Sequence, residues 1–209
     1  EEVRRLTLAS IASARHTIYL ENQYFTSHRV AHALAARLRE PEGPEVVLLV
    51  TGRAPSWFDH LTMDYARNPL VRGLKAADAF DRFRAVSPVT SAGAPIVVHS
   101  KVGVFDDRIL RVGSANLNNR SEGFDTECDL AIEARTSTDR AAIAGFRDRL
   151  LSHYLAVDAD RFARVRIAGG GVVAAIDALN DAGRLAPLAM GPPTWWEDFV
   201  SRRGLGDPS

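Results

Sequence analysis

Apolar residues recur along this chain at two spacings, and the points where one gives way to the other mark out its elements. Val3, Leu6, Leu8 and Ile11 lie on one helical face that stops near His16, after which Thr17-Ile18-Tyr19-Leu20 has the β-branched and aromatic content of a short buried strand. Thr26 or Ser27 can cap a second helix with Val30, Leu34 and Leu38 on its apolar face, closed by Pro41-Glu42-Gly43-Pro44. Residues 45–51 then read as a buried strand. The stretch 56–80 is mostly helical, with Asn68-Pro69 as its break, and leads into a strand over 82–86.

Residues 88–95 form a loop, 96–105 a strand, Asp106-Asp107-Arg108 a turn and 109–112 the returning strand of a hairpin. Another strand covers 127–134, and Ser137 or Thr138 caps a helix carrying Ile143, Phe146, Leu150 and Leu151 on one face. Strands alternating with helices predict an α/β fold with a mixed β-sheet flanked by helices on both faces, the hairpin excluding a purely parallel sheet. The character changes near Arg164, where a strand-like 164–168, Gly169-Gly170-Gly171, a short Ala-rich helix and Pro187 follow one another. The expected organisation is a main domain over 1–160 and a C-terminal extension over 161–209.

Composition narrows the classes of function. The 209 residues are 46% hydrophobic and 25% charged, which suits a soluble globular domain. Lys plus Arg is 26 and Asp plus Glu is 26, so no excess of cations favours a polyanion, and nucleic acid is disfavoured as a partner. The one cysteine, Cys128, excludes an intrachain disulfide, and no histidine has a Cys partner at zinc spacing, so no metal is expected. The apolar runs are too short for a membrane span. The chain opens at Glu1 without Met and runs directly into a helical register, which suggests a piece of a longer protein.

Candidate chemistry gathers around the hairpin. In His99-Ser100-Lys101 the imidazole and the ammonium project from the same side of an extended segment, four residues precede Asp106, and Gly103 leaves that side open. An imidazole beside a fixed cation suits reaction at an anion: Lys101 holds a phosphate oxygen while His99 attacks phosphorus or protonates a leaving oxygen. The bland alternative is a satisfied strand histidine. Gly113-Ser114-Ala115-Asn116 follows the returning strand and offers a hydroxyl and an amide to phosphate oxygens, the alternative being a polar turn that satisfies its own backbone. Glu127 can orient a ring nitrogen of His99 or be a surface charge.

These residues resemble the phospholipase D superfamily, whose signature is His-x-Lys-x4-Asp followed by Gly-Ser-x-Asn: His99, Lys101, Asp106, Gly113, Ser114 and Asn116 fill every place. The stretches VGSANLNNRSEGFDTECDLAIE (112–133) and IYLENQYF (18–25) look like the second half of two-motif bacterial phospholipase D and cardiolipin synthase-like proteins. The resemblance covers roughly residues 10–155. It implies metal- and cofactor-independent phosphodiester hydrolysis or phosphatidyl transfer on phospholipids, in two steps, with one histidine forming a phosphohistidine and the other acting as acid and then base. By the same resemblance His99 is the acid/base, Lys101, Ser114 and Asn116 bind phosphate, Glu127 orients His99 and Asp106 is structural support. An imidazole with a pKa near about 6.5 can serve either role, so the assignment stays open.

The chain departs from that pattern in one respect: of its six histidines only His99 has Lys two residues later. The first motif is expected either upstream in a parent chain or from a second copy about a two-fold axis. The alternatives to a phospholipid enzyme are a homodimeric single-motif nuclease and a non-catalytic interaction domain. Asn22 and Gln23, at the end of the first strand, are candidates for substrate contact, with helix capping as the alternative. Gly169-x-Gly171-x-x-Ala174 is a partial dinucleotide fingerprint with too little chain after it, and a glycine loop suffices to explain it. Trp57-Phe58 and Trp195-Trp196 suit core packing or docking, and a lipid interface as the alternative, which leaves cytoplasmic and membrane-peripheral locations both open.

Overall fold

A computed structural model describes residues 1–52, 60–190, 195 and 207. Its first elements are α1 (Glu2–Ser13), β1 (Thr17–Asn22), α2 (His28–Arg39), β2 (Glu45–Val50), a π turn (His60–Asp64), α3 (Tyr65–Ala77) and β3 (Phe83–Pro88). There follow β4 (Val102–Phe105), β5 (Ile109–Gly113), α4 (Asn119–Gly123), β6 (Asp129–Glu133), α5 (Ser137–Leu155), α6 (Ala159–Gly169), α7 (Val172–Leu179) and β7 (Leu185–Pro187). The strands make one seven-stranded sheet in the order β6-β5-β4-β1-β2-β3-β7. β1, β2 and β3 are parallel, and the remaining pairings are antiparallel, so the sheet is mixed.

Alternation along the strands sends successive side chains to opposite layers. Ile18, Leu20, Val46 and Leu48 pack with Ile11 of α1, Val30, Leu34 and Leu38 of α2, and Leu74 of α3. Tyr19, Val47, Leu49 and Val104 face the other way, onto Ile143 and Leu151 of α5, Phe162 of α6 and Ile176 of α7. The α/β class with helices on both faces is therefore the observed architecture.

The structure differs from the periodicity in three places. Residues 164–168 are helical, not a strand: α6 starts on Asp158, whose side chain accepts from the Arg161 N–H, and ends at Gly170 with φ 80°. No strand then precedes the glycines, which removes the context a dinucleotide site requires. Phe162, Val172, Ile176 and Leu179 pack against the sheet, and β7 pairs antiparallel with β3. Secondly, α3 runs through Pro69, so the break expected at Asn68-Pro69 is not there, and a π turn immediately precedes the helix instead. Thirdly, the strand expected over 96–105 begins only at Val102, because the Ile96 N–H reaches the Pro88 carbonyl and both backbone groups of Val98 bond the Thr51 hydroxyl, at 3.0 Å each.

Trp57, Phe58 and Trp196 lie outside the described residues; Trp195 is exposed. Among the described residues, no helix is long and apolar enough to cross a membrane.

Candidate active site

The β1–β4 register sets Glu21 opposite Val102, which brings the His99-Ser100-Lys101 segment beside the end of β1. The Gly113 N–H, at the end of β5, donates to the Lys101 carbonyl at 3.1 Å. The two motifs are thus in backbone contact, and His99, Lys101, Gln23 and the Gly113–Asn116 turn collect at one end of the sheet. Asp106 lies at the other end, where its carboxylate accepts N–H bonds from Arg15, His16 and Thr17 at 2.7 to 3.2 Å. It ties the start of β1 to the hairpin turn, with a backbone φ of 54°.

Lys101 is 5% exposed. Its ammonium donates to the His99 carbonyl at 2.7 Å and to Gln23 Oε1 at 3.1 Å, which leaves one of the three donors of an ammonium for a ligand oxygen. Burial lowers the Lys101 pKa, and the nearby Glu127 carboxylate opposes that shift. His99 is exposed, and among the described residues its ring makes no hydrogen bond.

The Gly113–Asn116 turn is shaped by a pair that sequence reasoning did not single out. Asp129 Oδ1 accepts from the Ser114 and Ala115 N–H groups at 3.0 and 3.1 Å, and its Oδ2 takes Arg111 Nε at 2.5 Å. Arg111 continues to Thr7 Oγ1 and to the Ala115 carbonyl, each at 2.8 Å. The only hint in the sequence is that Asp129 shares a strand face with Glu127, two residues earlier.

Glu127 accepts the Ser114 hydroxyl at 2.5 Å, and the Ser114 Oγ accepts from the Cys128 N–H at 2.9 Å. The expected orientation of His99 by Glu127 is not formed among the described residues, because the β5–β6 ladder, with Gly113 opposite Asp129, carries Glu127 to Ser114 instead. Asn22 spends its amide on the chain, accepting from Tyr24 and Leu117 N–H groups at 3.2 and 3.3 Å and donating to the Ala115 carbonyl at 3.5 Å. It clips β1 to the turn, whereas Gln23 reaches Lys101. Among the described residues Asn116 Oδ1 is buried without a partner, so this amide has capacity for a ligand, as acceptor or, with the amide turned, as donor.

A cavity of about 650 Å³ lies at the Asp106 end, lined among others by Arg15, His16, Glu45 and Arg82. Its inner charges are committed: Glu45 accepts from the Val172 and Val173 N–H groups, and Arg82 donates to carbonyls that close α2. Among the described residues no group of three His, Cys, Asp or Glu side chains could hold a metal.

A family described as "Cardiolipin synthase, PLD-like domain" matches residues 7–144. Phospholipase D zeta 1 of Arabidopsis thaliana is 28% identical over 176 residues, covering 64% of this chain and 16% of that protein. Phosphatidylserine synthase from Haemophilus influenzae Rd KW20 superposes with a TM-score of 0.57 at 14% identity, over 73% of this chain and 36% of that one. NucT from Helicobacter pylori superposes with a TM-score of 0.50 at 18% identity, over 71% and 87%. At such identities the two solved structures speak for the fold alone. The chain spans only 16% of the length of its plant relative.

Proposed function

This chain belongs to the phospholipase D-like family, and on that premise we propose that it supplies one of the two histidine motifs of a site that hydrolyses or transfers phospholipid phosphodiesters. The observation that carries the reading is the bond from the Gly113 N–H to the Lys101 carbonyl, which joins the segment bearing the exposed His99 and the buried Lys101 to the turn bearing Asn116, whose amide oxygen has no partner among the described residues.

In this reading a histidine of the partner half attacks phosphorus and forms a P–N bond as the P–O bond to the leaving alcohol breaks. Protonated His99 gives its proton to that oxygen. Neutral His99 then takes a proton from water or an acceptor alcohol, whose oxygen displaces the histidine nitrogen and restores both rings. Lys101 and the Asn116 amide stabilise charge on the non-bridging oxygens throughout. Glu127 acts on Ser114 rather than on His99, and Asp106 is support.

A partner half is also supported by an apolar strip beside the turn. Val112 of β5 faces Leu130 of the edge strand β6, and with Ile132, also of β6, they are 40%, 64% and 46% exposed.

The test uses the parent protein containing both motifs, with mixed micelles of phosphatidylcholine and phosphatidylglycerol, and reads product release and the phosphohistidine trapped by denaturation at alkaline pH. His99→Ala should abolish turnover with the melting temperature unchanged; wild-type rates in that variant overturn the reading. Activity of this chain alone that rises steeply with its own concentration would make the partner a second copy.

A further inference from the structure

Residues 99–101 precede the paired part of β4, so the direction of His99 and Lys101 comes mainly from side-chain bonds rather than from a strand ladder. Upstream, Thr51 holds both backbone groups of Val98. Downstream, Lys101 bonds the His99 carbonyl and Gly113 bonds the Lys101 carbonyl. Between them, the Ser100 hydroxyl donates to Glu21 Oε1.

Glu21 is 1% exposed at the end of β1. Besides Ser100 it collects the hydroxyls of Tyr19, at 2.6 Å to Oε2, and Tyr154, at 2.7 Å to Oε1. Tyr19 belongs to the core and Tyr154 to the last turn of α5, so one carboxylate joins β1, α5 and the motif segment. Burial first, and then the Glu21 charge, push both tyrosine pKa values up, which keeps the two phenols protonated as donors. A carboxylate here is costly to desolvate, and an apolar side chain would serve packing as well. Its charge-assisted bonds fix geometry, and the one that reaches the site lands on the residue between His99 and Lys101.

We propose that Glu21 is a positioning residue, which anchors Ser100 through its hydroxyl so that His99 and Lys101 turn to the opposite side, toward the Gly113–Asn116 turn. Adjacent residues of an extended segment project oppositely, so pinning the middle one sets the aim of both neighbours. A displacement of about 1 Å at reacting atoms is enough to cost about 100-fold in rate. The inference rests on the proposed roles of His99 and Lys101.

The experiment uses the parent protein with the same phosphatidylcholine and phosphatidylglycerol micelles. Ser100→Ala should lower kcat by about 10- to 100-fold with KM changed less than about twofold, while Ser100→Thr, which keeps the hydroxyl, stays within about threefold of the parent. Tyr154→Phe should lower kcat in the same sense, and the double variant should lose less than the product of the two, since both act through Glu21. Each variant deletes or keeps one hydroxyl, so the test does not depend on Glu21→Gln folding. His99→Ala is measured alongside. If it is inactive while Ser100→Ala turns over like the parent, or Ser100→Thr is as slow as Ser100→Ala, the positioning role of Glu21 is overturned and the catalytic reading stands. If His99→Ala itself turns over normally, the catalytic reading falls.

Discussion

A Cβ placed on Gly113 would lie 1.8 Å from Oδ1 of Asp129, the same oxygen that receives the Ser114 and Ala115 N–H groups. The glycine is required here by close approach rather than by an unusual φ. Gly113→Ala must push away the carboxylate that shapes the turn and, with it, the buried Arg111 guanidinium at 2.5 Å. Overpacking of this kind costs about 1–3 kcal/mol, so urea unfolding should show a loss of that size, together with a fall in kcat. A variant of parental stability and activity would mean that the turn does not depend on Asp129.

Lys101 has two functions in this geometry, which its substitutions separate. Its ammonium offers a donor to a ligand oxygen, and it also braces the His99 carbonyl at 2.7 Å. Lys101→Met should lower kcat by about 10²- to 10³-fold, the range seen when one preorganised donor is removed from a developing charge. Lys101→Arg should recover little of this, because a planar guanidinium cannot reproduce the two bonds to His99 and Gln23 in a slot that is 5% exposed. The check is kcat in the parent protein; a Lys101→Met rate within about threefold of parental would remove Lys101 from the reaction.

The α/β class, the hairpin and the motif residues were legible in the sequence because each depends on local pattern: alternation, turn residues and fixed spacing. The Ile96–Val98 stretch was misread because β-branched residues favour extension without revealing what they pair with, and here Thr51 takes the bonds of Val98. The 164–168 stretch was misread because Val165 and Ile167 carry strand propensity, which the Asp158 cap and the buried Phe162 outweigh. The Arg111–Asp129 pair, hinted at only by the spacing of Asp129 from Glu127, and the Glu21–Tyr154 pair join residues 18 and 133 positions apart by side-chain contact alone, which local pattern does not reveal. The same holds for Asp207, whose carboxylate reaches back to the Thr26 hydroxyl at 2.6 Å and to the Asn119 and Arg120 N–H groups at 2.9 Å each.

Glu122, in the short helix after the turn, gives the fold a pH dependence with a definite sign. It is 4% exposed, its Oε1 has no hydrogen-bond partner among the described residues, and burial raises its pKa above the ordinary 4.5. The nearby Asp207 carboxylate adds to the rise, while the Ser27 hydroxyl and the charges of Arg4 and Arg29 oppose it. The folded state therefore holds the proton more tightly than the unfolded chain, so this group's contribution to stability is complete below the unfolded value and is lost as pH rises through the folded one. Glu122→Gln cannot ionise and should escape that loss. Urea unfolding of both proteins from pH 4 to pH 8 should show the stability difference moving in favour of the variant as pH rises, across a window that opens near 4.5. A difference that stays flat, or that moves toward the parent, would show that Glu122 ionises as easily in the fold as in the unfolded chain.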